Sequence, residues 1–496
     1  MATVITSIGS KSIYTNPVNG QFAITGSSGS GDPWTGTVSH AGSSVTANVG
    51  DMLFFRQVHT DCGGWGGCTT GPVDVVYLIT AVNSGSDSLT IKYISGLASA
   101  SSGQAPTVLS SNSYTFTQAQ PYVLRFYSTP GTWNADLENT GLYSSGDTAK
   151  GECYKDTALS QTSMLLVGSQ GGNVTGIAIA ILSVAESQRH DGTAGTGYVI
   201  NMSNHSIIKL YWDADAGASA LRKTLEWIDI NGGELVNDTS NFVYNYSGGS
   251  MDYCGTVSHC LIHGHYTNTG APNGYIATAL NNSSKNSCAH NNIIYNIQGT
   301  ASAYGISMGE SESVCCNNTV YKIHTTQSDS SKTHKSAYGI SNGLENNIVM
   351  SNNIVGAVTS TVADEHYDYY SAGGTQTRNN NISEDGTADD YATSTDAITG
   401  VDPEDLFVDC TTDGSEDFHL KDGAQALRAG EDLGTSVTVG GDTMGSSDFG
   451  TPINIDIDGR NRDSEGDDWD IGADQCEDCS APVAAGNPAF LLFLDS

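Results

Sequence analysis

Cys288-Ala-His-Asn-Asn-Ile-Ile-Tyr-Asn-Ile297 recurs as Val314-Cys-Cys-Asn-Asn-Thr-Val-Tyr-Lys-Ile323 and again as Val349-Met-Ser-Asn-Asn-Ile-Val-Gly-Ala-Val358. A fragment, Thr377-Arg-Asn-Asn-Asn-Ile382, carries the same pattern, and Val257-Ser-His-Cys-Leu-Ile-His263 fits it without the asparagine pair. The second asparagine falls at Asn292, Asn318, Asn353 and Asn380, at intervals of 26, 35 and 27 residues. A second element precedes two of these segments: Ala303-Tyr-Gly-Ile-Ser307 returns as Ala337-Tyr-Gly-Ile-Ser341, and Asn273-Gly-Tyr-Ile-Ala277 resembles both.

Each period therefore holds at least two short strands joined by a bend that bears asparagine. Strands of four or five residues cannot bury a face alone. Coiled into rungs and stacked in parallel about 4.8 Å apart, they share one continuous interior. Asparagine tolerates the left-handed backbone of a repeated bend, and stacked asparagines hydrogen-bond into a ladder. The interval of 35 is accounted for by a polar insertion, Thr325 to Lys335. The competing leucine-rich repeat is set aside because no Leu-rich consensus appears. The expected fold class is all-β: a right-handed parallel β-helix solenoid with an N-terminal β module and a C-terminal capping section.

The flanks fit this frame. Val49-Gly-Asp-Met-Leu-Phe-Phe55, Val75-Val-Tyr-Leu-Ile-Thr-Ala-Val82 and Leu89-Thr-Ile-Lys-Tyr93 read as antiparallel strands of a β module over 1–120. Around Thr132 to Gly141, Trp133, Leu137 and the closing glycine predict one or two helical turns that cover the open end of the solenoid. The β-helix is expected over 121–385, an acidic capping section over 386–475 and a tail over 476–496. The tail ends in the apolar run Ala489-Phe-Leu-Leu-Phe-Leu494, expected to dock on its own chain or on a neighbour.

The 496 residues carry 19 Lys+Arg against 54 Asp+Glu, a formal charge of −35. Residues 401–480 hold 22 of the acidic residues and four basic ones. Such a surface repels phosphate backbones and anionic lipid, so neither nucleic acid nor a membrane surface is an expected partner. No stretch approaches the roughly 18 apolar residues of a membrane span, and the start lacks the basic and apolar regions of a signal peptide. Eleven scattered cysteines read mostly as small buried residues, with Cys62–Cys68 and Cys476–Cys479 as possible close pairs.

Two regions carry the resemblance. Gly151-Glu-Cys-Tyr-Lys-Asp-Thr157 and Ala185-Glu-Ser-Gln-Arg-His-Asp-Gly-Thr-Ala-Gly-Thr-Gly197 look like the first rungs of β-helix proteins of phages and environmental bacteria. Asp402-Pro-Glu-Asp-Leu-Phe-Val-Asp409, Asp417-Phe-His-Leu-Lys-Asp-Gly-Ala424, Asp456-Ile-Asp-Gly-Arg-Asn-Arg462 and Asp470-Ile-Gly-Ala-Asp474 are similar to the closing section of right-handed β-helix, pectate-lyase-like proteins. The resemblance covers roughly residues 125–475. It implies the fold and a spike, fibre or decoration protein, commonly a homotrimer, found on virions or outside the cell after release. Its expected partners are cell-surface polysaccharide or other virion proteins. A polysaccharide lyase or glycoside hydrolase and a bacterial surface adhesin are the alternatives on the same architecture.

Candidate sites follow from residue chemistry. Asp364, Glu365, His366, Tyr367, Asp368, Tyr369 and Tyr370 combine carboxylates with rings that stack on sugars, and paired carboxylates serve glycoside hydrolysis. Asp456, Asp458, Asp463, Asp467, Asp468 and Asp470 offer the hard oxygens that Ca²⁺ prefers, against a structural reading in which Arg460 and Arg462 pair with them. His259, His263 and His265 share parity and would point to one face of a strand. Glu226 and Asp229 are two further carboxylates in a strand-like stretch.

Overall fold

The computed structural model is all-β, about 50% strand and 6% helix. It describes residues 2–479 except 11, 15–21, 27–34, 41–46, 59–72, 84–87, 94–113, 117–120, 138–141, 157, 170–176, 203–206, 214–220, 236–238, 249–254, 268–275, 327–335, 344–346, 362–364, 391–393, 412–413, 446–447, 449, 466–467 and 477–478. Cys62–Cys68, the apolar tail and most of the insertion after Thr325 lie outside the described residues. The chain divides into two compact units.

The first unit comprises 1–158, 168–188 and 215–221. Its opening strand, Thr3–Ile8, pairs in parallel with Thr148–Cys153, which pairs in parallel with Ile179–Val184. Between the first two strands the chain builds an eight-stranded sheet that includes Met52–Val58, Val73–Asn83 and Ser88–Tyr93. Every pairing within that sheet is antiparallel. The β module is thus an excursion from a parallel ladder that the chain enters with its first residues. Arg125 clamps the unit. It donates to Asp51 at 2.9 Å and to Asp156 at 3.0 Å, and lies 3.6 Å from the centre of the Tyr154 ring. The expected helix is present as Pro130–Ala135, held by a capping box between Thr129 and Thr132. It ends at Asp136, short of Gly141, and its Trp133 is fully buried against Gly151.

The second unit is a parallel β-helix whose full rungs use three sheets. The first sheet runs from Arg222–Glu226 through Gly255–Ser258, Cys288–His290, Val314–Cys316, Ile348–Ser351 and Gln376–Asn379. The second runs from Leu159–Gln161 through Val199–Met202, Asp229–Asn231, Leu261–Thr267, Ile293–Gly299, Thr319–Thr325, Ile354–Gly356 and Ile382–Ser383 to Ile398–Thr399. The third includes Ile208–Asp213, Thr239–Gly248, Ile276–Ser283, Ser302–Met308, Ala337–Asn342 and His366–Ser371. Inward columns show why these strands need one another. Ile230, Ile262, Ile294, Val320 and Val355 stack in the second sheet, and Val243, Leu280, Ile306, Ile340 and Tyr369 in the third. Every one of these ten is buried.

The corner between the first and second sheets is fixed residue by residue. Trp227, His259, Asn291, Asn317, Asn352, Asn380 and Asp396 occupy it with φ between 50° and 64°. The residue after each points inward. Asn292 Nδ2 donates to Asn318 Oδ1 at 2.9 Å, Asn318 Nδ2 to Asn353 Oδ1 at 3.0 Å, and Asn353 Nδ2 to Asn381 Oδ1 at 3.0 Å. Each Oδ1 also accepts the backbone N–H of the preceding ladder residue, and each Nδ2 also reaches a backbone carbonyl one rung back. The fourth member is Asn381, not Asn380, because Ile382 pairs with Ile354 and sets the register. Likewise Ala277 pairs with Ala303, so the true counterpart of Ala303-Tyr-Gly-Ile-Ser307 begins at Ala277 and not at Asn273.

The segment from Glu384 to Asp389 covers the last strand of the third sheet, and a partial rung follows it, Ser394–Thr395 and Ile398–Thr399, paired with the first and second sheets. Asp368 N donates to Asp385, Tyr369 N to the Thr387 hydroxyl, and the buried Arg378 guanidinium to Thr387 O. From Val401 onward the chain turns back over the outside of the coil. Leu406, Phe407, Phe418 and Leu420 cover Leu261, Ile293, Tyr295 and Ile354 of the second sheet. Val437, Val439, Met444, Ile453 and Trp469 cover Cys288, Val314 and Cys316 of the first. The left-handed corner serves as the rail for this return. Asn291 and Asn317 donate to Ile453 O, Asn352 to Glu431 O and Asn380 to Ala429 O. Gly472 passes so close that a Cβ would lie 2.7 Å from Ile354 Cδ1.

Asn318→Ala should cost about 2–5 kcal/mol, because it strands a buried N–H and a carbonyl in neighbouring rungs. Asn317→Gly keeps the left-handed corner and should cost clearly less. Urea unfolding of the two variants checks the order.

Candidate functional site

The outer surface of the third sheet bears a file of rings. Tyr304 pairs in register with Tyr338, and Tyr338 with Tyr367. Tyr338 and Tyr370 stack with centroids 4.1 Å apart and planes 2° from parallel. Tyr304 lies 5.3 Å from Tyr338, and Tyr367 lies 5.7 Å from Tyr370. All four are partly exposed. The adjoining outward column pairs Tyr244 with Asn281, Ser307, Ser341 and Tyr370 in succession. Apolar ring faces thus stand beside amide and hydroxyl groups, the combination that recognises a ligand with both apolar faces and hydroxyls. Burial pushes the Tyr338 phenol up to about 12 and raises that of Tyr304, so both remain hydrogen-bond donors at neutral pH.

The expected glycan stretch divides between the two sides of its strand. Tyr367 and Tyr370 belong to the ring file. His366 is exposed beside them, and Glu365 accepts from the Ser336 hydroxyl at 2.8 Å. Tyr369 points into the core, where its hydroxyl donates to Asn353 O at 2.8 Å and Ile382 O at 3.2 Å. Asp368 is buried, and its Oδ2 accepts from Glu384 N and Asp385 N at 2.7 and 3.0 Å. Asp364 lies outside the described residues. The sequence reading missed Tyr304 and Tyr338, although both sit in the repeated Ala-Tyr-Gly-Ile-Ser element; only strand pairing shows that these rings share a face.

The aspartates expected to bind calcium are spread through the closing section. Asp456 Oδ1 accepts from Asp458 N and Arg460 N, and Oδ2 from Gln475 N, while desolvation raises its carboxyl to about 7. Asp470 accepts from Arg428 N and Cys476 N. Asp463 accepts from Asn454 and from the Trp469 indole, Asp468 is exposed, and Asp467 lies outside the described residues. Arg460 pairs with Asp458 at 3.1 Å. Arg462 behaves differently. It is fully buried and donates to the carbonyls of Asp470, Gly472, Ala473 and Asp474 and to Asn291 Oδ1, tying the Asp470-Ile-Gly-Ala-Asp474 turn to the corner. Cys476 and Cys479 form a disulfide at its end.

The three histidines do not share a face. His259 occupies the left-handed corner, stacked 4.3 Å from Trp227, with Nε2 at Ile455 O. His263 faces outward, 2.8 Å from Asp229 and stacked on Tyr295. Gly264, at φ 69°, then reverses the alternation and sends His265 into the core against Phe242. Asp229 also accepts from Gly195 N at 2.6 Å, and Glu226 accepts from Thr451. No family model and no curated protein matches the chain.

Desolvation, reinforced by Asp385, raises the Asp368 carboxyl well above the ordinary range in the folded protein. Its ionisation therefore costs stability above the folded value, and that cost fades as pH falls towards the unfolded value. Asp368→Asn should raise the thermal midpoint at pH 7, with a smaller gain at pH 5. Melting curves of both proteins at the two pH values check this.

Proposed function

We propose that the chain binds carbohydrate through the tyrosine file of its third sheet, as a surface-exposed virion component of the tailspike, fibre or decoration kind. The observation that carries the binding reading is the contiguous set Tyr304, Tyr338, Tyr367 and Tyr370, in which Tyr338 and Tyr370 stack, with Asn281 and Ser307 in the adjoining column. Rungs repeat about every 4.8 Å, so an extended glycan lying along the file meets a new ring or amide at each rung. The charge of −35 favours a neutral cell-surface polysaccharide over a polyanion. The virion assignment, and a homotrimer as its assembly, are supported by the resemblance of residues 125–475 to β-helix proteins of phages.

Affinity measurements on a panel of neutral polysaccharides test the reading. Tyr338→Ala should weaken binding about tenfold, equivalent to ~1.4 kcal/mol. Tyr266→Ala, which removes an exposed ring from the second sheet, should leave binding unchanged. Retention of no polysaccharide, or equal loss in both variants, overturns the proposal.

A further inference from the structure

The closing section brings together a second group that the tyrosine face does not use. Ligand atoms of His419, Asp458 and Asp474 lie within 4.8 Å of one another, and this is the converging set of metal-ligating side chains among the described residues. They come from three separated segments: the strand Asp417–Leu420, the turn after Asp456 and the end of the Asp470-Ile-Gly-Ala-Asp474 turn. His419 Nε2 lies 3.0 Å from Asp458 Oδ1, while Nδ1 on the other side of the ring is held by Asp417. Asp474 is 3% exposed. Its Oδ2 accepts from Leu420 N, but Oδ1 is buried with no hydrogen-bond partner. Gly192 lies against the ring, where a Cβ would sit 3.0 Å from Cε1 and Nε2.

We propose that His419 Nε2, Asp458 and Asp474 bind a divalent transition ion of the zinc or manganese class, with Asp417 as the outer carboxylate that orients the imidazole. One imidazole nitrogen with two carboxylates suits such ions, whereas calcium takes oxygen ligands only. The Asp417–His419 contact is the arrangement by which metal-bound histidines are fixed in tautomer and direction. The orphan Oδ1 of Asp474 gains its missing partner. Without an ion, the 3.0 Å contact between Nε2 and Asp458 Oδ1 requires a proton between the two atoms. Binding transfers the Nε2 lone pair to the ion and releases that proton to solvent. Asp458 Oδ2 pairs with Arg460 at 3.1 Å, through a side chain that is 44% exposed. The ion then braces the three segments of the closing section against one another.

The full-length chain, treated with chelator and dialysed against Zn²⁺ or Mn²⁺, should take up one equivalent by elemental analysis. His419→Gln should bind at least 100-fold more weakly, and Asp417→Asn about 10–100-fold more weakly while retaining every ligand. X-ray absorption of the zinc-loaded wild type should show imidazole scattering, which keeps the test decisive should a variant fail to fold. Absence of stoichiometric uptake, an all-oxygen shell, unchanged affinity in His419→Gln, or Ca²⁺ bound as tightly as Zn²⁺ each overturns the proposal.

Discussion

The second unit depends on a buried chain of side-chain amides. Asn292, Asn318 and Asn353 each accept through Oδ1 from the rung before and donate through Nδ2 to the rungs before and after, and Asn381 ends the file with both groups on the rung before. A buried polar group left unpaired is expensive, whereas a fully satisfied network stiffens and specifies its surroundings. A rung that slipped by one residue would present the wrong side chain to this file and strand several donors at once. The ladder therefore fixes register as well as the corner, while the isoleucine, valine and leucine columns supply the burial that drives the coil together.

The same corner has an outward consequence. Its left-handed residues turn their side chains away from the core, and Asn291, Asn317, Asn352 and Asn380 spend them on carbonyls of the returning chain. The closing section thereby shields the apolar outer columns of the first and second sheets, which would otherwise be a large exposed patch. The third sheet keeps Tyr304, Tyr338, Tyr367 and Tyr370 partly exposed. Division of labour among the three faces thus follows from one geometric fact about the corner: two faces receive the return of the chain, and the third does not.

The sequence disclosed the coil where side-chain identity repeats. Asn292, Asn318 and Asn353 are legible because each stands in an Asn-Asn pair between apolar strands. Asn381 is not, since three consecutive asparagines give no local register and Ile382 decides it through its partner Ile354. Parity failed for the histidines because His259 stands in the left-handed corner outside the strand, and a left-handed bulge column, Gly264, Asn296, Lys322 and Ala357, reverses alternation between His263 and His265. Glycine and asparagine hint at such geometry, but at Lys322 and Ala357 the stacked neighbours impose it. The tyrosine file and the His419 group were hidden for a different reason. Each is assembled by contacts distant in sequence, and composition showed the acidic closing section without showing which carboxylates converge.

Hydrogen exchange at single-residue resolution tests the ladder most directly. The backbone amides of Cys260, Asn292, Asn318 and Asn353 each donate to the Oδ1 of the next asparagine in the file. They should exchange together and among the slowest in the protein, opening only when the coil unfolds. Fast or independent exchange at these four amides would contradict a continuous buried file of asparagines.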